Sequence, residues 1–129
     1  MGHIERRRRW FQGLLVFVVL FITIASVMPD GSLDINHSFK SMDLDKIWHF
    51  VGFAGLILIV FGAIQDLGFR QGVWSTAWVM VFGGAIELGQ HFIPYRTFNP
   101  ADILANFFGA VFGILLWMVY KRFHVGRLG

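Results

Sequence analysis

Residues 103–120 read ILANFFGAVFGILLWMVY: eighteen residues without a charge, with Asn106 as the main polar group. A helix of that length is about 27 Å long, close to the roughly 30 Å hydrocarbon core of a bilayer. Lipid offers the backbone no hydrogen-bonding partner, so such a span has to be helical. Three other stretches read alike. Phe11 to Met28 carries no charge, and Ile47 to Ile64 carries none if His49 is neutral. Val73 to Ile86 is apolar apart from Ser75 and Thr76, and its pattern runs on through Glu87 to Ile93. The expected fold is all-α: an integral membrane four-helix bundle, one domain over residues 1–129, with helices at about 11–28, 47–64, 73–92 and 102–120.

Composition agrees with this reading. Hydrophobic residues make up 56% of the 129 residues and charged ones 15%. Soluble domains have about 45–50% and about 25%. The mean hydropathy is +0.62 and the pI about 9.8. That pI does not point to nucleic acid. Seven of the eleven basic residues lie at the ends, as Arg6 to Arg9 and as Lys121, Arg122 and Arg127. This is how membrane segments are flanked, not how a basic binding face is laid out. The chain has no cysteine, which excludes disulfides, thiolate metal sites and cysteine nucleophiles.

Local chemistry sets the boundaries. Pro29-Asp30-Gly31 stops the first helix, and Asp66-Leu67-Gly68 closes the second. Asp43 or Asp45 is placed to cap the second helix. Asn99-Pro100 opens the fourth, with Asn at the cap and Pro in the first turn. The arginine run followed by an apolar segment also fits a signal peptide. The apolar run is long for one, and no clean small-x-small site precedes Pro29, so we read an uncleaved first helix.

The positive-inside rule orients the bundle. The two basic flanks put both termini in the cytoplasm, for a multi-pass protein of the cell (cytoplasmic) membrane. The loops 29–46 and 89–101 then face outward. Trp10, Trp74, Trp117 and Tyr120 fall near the inner interface, where aromatic belts are expected.

The unusual residues gather on the other side. Asp45, Lys46 and His49 begin the second helix, Glu87, Gln90 and His91 finish the third, and Arg96 lies in the outer loop. Asp102 and Asn106 begin the fourth helix. Helical spacing puts Asp45, His49, Gly52 and Leu56 on one stripe. Gly83, Glu87, Gln90 and His91 form a second stripe, and Asp102, Asn106, Gly109 and Gly113 a third. Small residues let helices approach closely in lipid, so these faces are expected to pack and leave a polar pocket at the outer mouth. The bland alternative is that Asp45 and Asp102 only cap helices. It does not cover Glu87, a carboxylate near a helix C-terminus, which should pair with Lys46, His49 or Arg96. Buried intramembrane charge is functional by default. Glu87 and His91 at i, i+4 with His49 make a thin zinc signal, and no metal or other cofactor is expected.

With these residues in place, the chain resembles the VanZ-like family of bacterial membrane proteins. The resemblance rests on Asp45-Lys46-Ile47-Trp48-His49-Phe50, then Glu87-Leu88-Gly89-Gln90, then Pro94-Tyr95-Arg96. Asp102-Ile103-Leu104-Ala105-Asn106 follows, with Gly109 and Gly113 after it. Each motif is short, but their order and spacing run from residue 45 to 113. The founding member is linked to resistance to the glycopeptide antibiotic teicoplanin. The resemblance therefore implies a cell-envelope context in the bacterial inner membrane, and it assigns no catalytic residue.

Two functions of different class follow. One is a binding protein that takes an amphiphilic or lipid-linked envelope molecule, among membrane lipids, at a polar extracytoplasmic pocket. Asp45, Lys46, His49, Glu87, Gln90, Arg96, Asp102 and Asn106 would line it, with Lys46 and Arg96 clamping an anionic headgroup. The other is a membrane enzyme modifying a lipid headgroup or wall precursor, with His49, Glu87 and Asp102 as acid/base groups. A proton-coupled transporter fits less well, because no segment is discontinuous.

Overall fold

The computed structural model describes residues 2–27, 42–64, 68–94 and 99–125. All elements among them are helical: α1 (His3–Val27), α2 (Met42–Ala63), α3 (Phe69–His91) and α4 (Pro100–Val125). Each helix begins before its apolar span, because a helix continues past the hydrocarbon into the interface. The greatest excess is in α1, where the arginine run Arg6 to Arg9 is the helix's own first turns. α2 begins at Met42, so Asp43 and Asp45 lie within its first turn and neither is its cap. The opening of α4 is as expected. Asn99 Oδ1 accepts the Ala101 N–H at 3.0 Å, and Pro100 is the first helical residue.

Three helices are long and apolar enough to cross a membrane: α1 over Glu5–Val27, α2 over Lys46–Ala63 and α4 over Pro100–Phe123. The expectation of four such spans is thus met at three. α3 has the length, at 23 residues, but its Gly, Ser, Thr, Gln and Trp content dilutes its hydropathy. It still belongs to the bundle and touches each of the other three helices.

Side-chain contacts fix the directions. Gly62 of α2 abuts the Phe11 ring of α1, Gly83 of α3 abuts the Phe53 ring, and Gly72 faces Phe61. Gly109 and Gly113 of α4 lie against the backbone of Phe50 and Ala54 in α2. α2 and α4 therefore run parallel, and α1 and α3 run the opposite way. The α2–α4 contact is the most extensive in the bundle. It is built on Gly109-x-x-x-Gly113, a spacing that brings two helix backbones together where apolar side chains gain nothing by leaving lipid.

The core is Phe53, Leu56, Ile57, Phe61, Val79 and Ala110. α1 lies at the periphery and fully buries none of its described side chains. It presents Leu15, Val18, Val19 and Ile22 to the core, at the i, i+3, i+4, i+7 spacing of one helical stripe. Its opposite face carries Val16, Phe17, Leu20, Phe21 and Ile24, all exposed. In water these side chains would be a liability, whereas against acyl chains they are the expected surface.

A polar bond ties α1 to α3: Gln90 Nε2 donates to the Ser26 carbonyl at 3.0 Å. Interhelical bonds of this kind average about 0.6 kcal/mol in membrane proteins. We expect Gln90→Met to lower the midpoint of thermal unfolding in detergent by only a few degrees. A collapse of folded yield would mean instead that α1 docking governs the bundle.

Candidate functional site

The antiparallel order brings four helix ends together: the C-terminal ends of α1 and α3 and the N-terminal ends of α2 and α4. Seven of the described basic residues, Arg6 to Arg9, Arg70, Lys121 and Arg122, lie at the opposite end. So do Trp10 and Trp74, which are exposed, and Tyr120, which stacks at a tilt on Trp117. The Trp117 Nε1 is buried without a hydrogen-bond partner among the described residues. The bundle is thus polarised, with arginine and aromatic residues at one end and a different polar set at the other.

That set is built by helical periodicity. On α4, Asp102, Asn106, Gly109, Ala110 and Gly113 are all buried and form one stripe. On α3 the buried residues are Val79, Gly83, Glu87 and Gln90, at steps of four, four and three. On α2, Leu56 and Phe53 are buried and His49 lies half-buried above them. The small residues sit deeper in the bundle, and the polar groups take the same faces near the end. Glu87 is 0% exposed, Asn106 1%, Asp102 4% and Gln90 5%. These are low values for polar side chains in an apolar bundle.

His49 is the hub. Its Nδ1 lies 2.9 Å from Asn106 Oδ1 and 3.5 Å from Glu87 Oε1. An amide oxygen only accepts, so the Nδ1–H donates to Asn106. Asp102 joins the same group. One ligand-type atom from each of His49, Glu87 and Asp102 can be chosen so that all three lie within 4.8 Å of one another. Gly83 makes room for them: a Cβ there would collide with the Phe53 ring and stand 3.2 Å from Asn106 Nδ2.

Of the partners expected for Glu87, His49 meets it directly, at 3.5 Å. Gln90 is buried on the same helix but is engaged by Ser26. His91 does not share that face. It is exposed, beside the Phe92 ring. One residue beyond Gln90 is a rotation of about 100°, which carries it off the stripe. The metal-type grouping therefore contains Asp102 where the sequence offered His91. The pairing of Asp102 and Asn106 at i, i+4 was the available signal. Lys46 is half-buried at the same end. The Asp45 side chain and all of Arg96 lie outside the described residues, and so do their expected places in the pocket. Surface recesses occur at Ile64, Arg70, Trp74 and Trp78 and at Arg6, Arg7, Trp10 and Phe11. Neither touches the polar cluster.

An all-α bundle with membrane-crossing helices and a His/Glu/Asp/Asn cluster at one end is a small helical membrane protein with a built polar site. The VanZ/LLP1 family model matches residues 4–121, and the chain belongs to that family. It is 36% identical over 113 residues to an uncharacterized protein, C11E3.10, of Schizosaccharomyces pombe. That match covers 84% of this chain and 64% of the yeast protein, so the chain spans under two thirds of that relative's length. No solved structure matches.

Proposed function

We propose that the protein is a membrane-bound VanZ-family component that binds the polar head of an amphiphile, a lipid or lipid-linked molecule, at the His49–Glu87–Asp102–Asn106 end of the bundle. One observation carries this: three separate helices send polar side chains to a single locus, buried from α3 and α4 and half-buried from α2. Helix packing does not call for them, since the glycine stripe already joins α2 to α4. The depth also fits. Asp102 and Glu87 stand about 3–6 Å from their helix ends, and Asn106 and His49 about 9–10 Å. The headgroup layer is about 5–7 Å thick on each side of the hydrocarbon, so the cluster meets the boundary between heads and chains.

The arginine-rich end gives the orientation. The positive-inside rule puts it in the cytoplasm, and the cluster then faces outward in the cytoplasmic membrane. Lys46, half-buried at that end, supplies a cationic group to that face, and an anionic headgroup is the natural ligand. The teicoplanin link of the founding VanZ member fits a role in the cell envelope. A relative in a yeast favours a headgroup that bacterial and fungal membranes share over one peculiar to a bacterial wall. The closeness of His49 to Glu87 supports a second reading, an enzyme in which that pair moves a proton on the bound headgroup.

The test is to purify the protein from membranes in mild detergent and identify retained lipids by native mass spectrometry. We expect one anionic amphiphile held by the wild type, lost in the Lys46→Gln, Arg96→Gln double variant while the protein stays folded. Equal retention by both would sink the clamp. Conversion of added lipid extract by the wild type, absent from His49→Gln, would select the enzyme over the binding protein.

A further inference from the structure

We propose that His49, Glu87 and Asp102 form a binding site for a divalent transition-metal ion, with the Asn106 side-chain oxygen as a fourth donor. The sequence alone gave only a weak metal signal, two histidines and one acid (His49, Glu87 and His91) scattered over two helices. The structure turns His91 outward and puts Asp102 in its place. The resulting set is drawn from three helices, so no single helix's capping accounts for it.

The distances are those of atoms that share one ion. With metal–ligand bonds of about 2.1 Å, adjacent donors stand about 3.0 Å apart in octahedral geometry and about 3.4 Å in tetrahedral. His49 Nδ1 is 2.9 Å from Asn106 Oδ1 and 3.5 Å from Glu87 Oε1. The widest separation within the His49, Glu87 and Asp102 set is at most 4.8 Å, against about 4.2 Å for opposite donors of an octahedron. On loading, the ring hydrogen passes from Nδ1 to Nε2, and Nδ1 turns its lone pair to the ion.

Electrostatics favour the same occupant. Glu87 is fully buried in the last turns of α3, where the helix dipole opposes a negative charge, and Asp102 is buried close by. A divalent ion between the two carboxylates would offset their negative charge in this apolar setting. The donor set is one imidazole, two carboxylates and one amide oxygen. Such a set suits Mn2+ or Zn2+, since soft-metal sites need the thiolates this chain lacks and Mg2+ seldom takes imidazole.

An ion at this depth also deepens the functional reading, on which this part rests: its open coordination positions would hold a phosphate or other oxyanion of the amphiphile's head. The experiment separates the two. Protein washed with EDTA in detergent is titrated with MnCl2, and free Mn2+ is followed by its electron paramagnetic resonance signal. Zn2+ is then tested as a competitor. We expect about one Mn2+ per chain, displaced by Zn2+. His49→Gln and Asp102→Asn should each weaken binding roughly 100-fold, and His91→Gln should leave it unchanged, with helical content and elution profile checked for every variant. If a site variant does not fold, a Mn2+-dependent rise in the wild type's unfolding temperature, kept in His91→Gln, supports the site. Folded wild type that takes up no Mn2+ or Zn2+, or binding weakened as much by His91→Gln as by His49→Gln, overturns it. Metal bound with no lipid retained would sink the headgroup reading alone, and lipid retained with no metal would sink the metal site alone.

Discussion

Gly109→Leu is expected to leave almost no folded protein. The contact at this position is backbone on backbone. A Cβ on Gly109 would run into the carbonyl group of Phe50, and one on Gly113 would stand 2.6 Å from the Ala54 carbonyl oxygen. No rotamer relieves such a clash, because the obstacle is the α2 helix itself. The helices would have to separate, and the α2–α4 contact is the largest in the bundle. Overpacking a well-filled interface costs about 1–3 kcal/mol even where side chains can shift, so a cost above that range is expected here. Gly109→Ala should already cut folded yield severalfold, and Gly109→Leu should abolish it. Gly84 is the control: it lies in mid-helix, and an added Cβ meets nothing within 4 Å. Gly84→Ala should match or exceed the wild type, since Ala is the better helix former by about 1 kcal/mol. The measure is monodisperse protein on size-exclusion chromatography in detergent. A Gly109→Leu variant with wild-type yield would show that α2 and α4 do not pack through this seam.

Much of this was legible in the sequence, and the reasons are physical. Lipid demands helices, so four apolar runs in a chain without cysteine already implied the architecture. The stripe Asp102, Asn106, Gly109, Gly113 could be read as one face because its steps are those of a helix, and all four residues are buried. The convergence of His49, Glu87 and Asn106 followed from strict up-and-down order. What was not legible turned on rotation and on ends. His91 and Gln90 are neighbours in sequence, yet one faces outward and the other is buried, and an apolar/polar pattern cannot resolve a stripe edge one residue wide. The caps expected for α2 failed because polar and acidic residues continue a helix readily once its later turns are packed. The weak hydropathy of α3 has a different cause. It spends its buried face on Gly83, Glu87 and Gln90, so a helix that supplies a buried carboxylate to the site reads least like a membrane span.

Glu87→Gln should abolish retention of the bound amphiphile while leaving the bundle as stable as the wild type, or more so. The substitution keeps the shape of the side chain and removes its charge. Glu87 is fully buried near the C-terminal end of α3, where both desolvation and the helix dipole oppose a carboxylate. Gln still offers an oxygen to His49, so the hub need not come apart. If the cluster existed only to hold the helices together, loss of the charge facing His49 should destabilise the bundle, since a hydrogen bond to a charged group contributes about 1.5–3 kcal/mol. If it exists to hold a ligand, the charge costs stability and is kept for function, and its removal should relieve the bundle. The two cases differ in sign. Unfolding in detergent should therefore start at or above the wild-type temperature for Glu87→Gln, while lipid retention falls at least tenfold. Asp102→Asn tests the same idea with less at stake, because Asp102 lies in the first turn of α4, where the dipole favours its charge. It should lose the ligand without gaining stability. A Glu87→Gln protein that melts well below the wild type, with its remaining folded fraction still holding lipid, would make the cluster structural and the proposed site wrong.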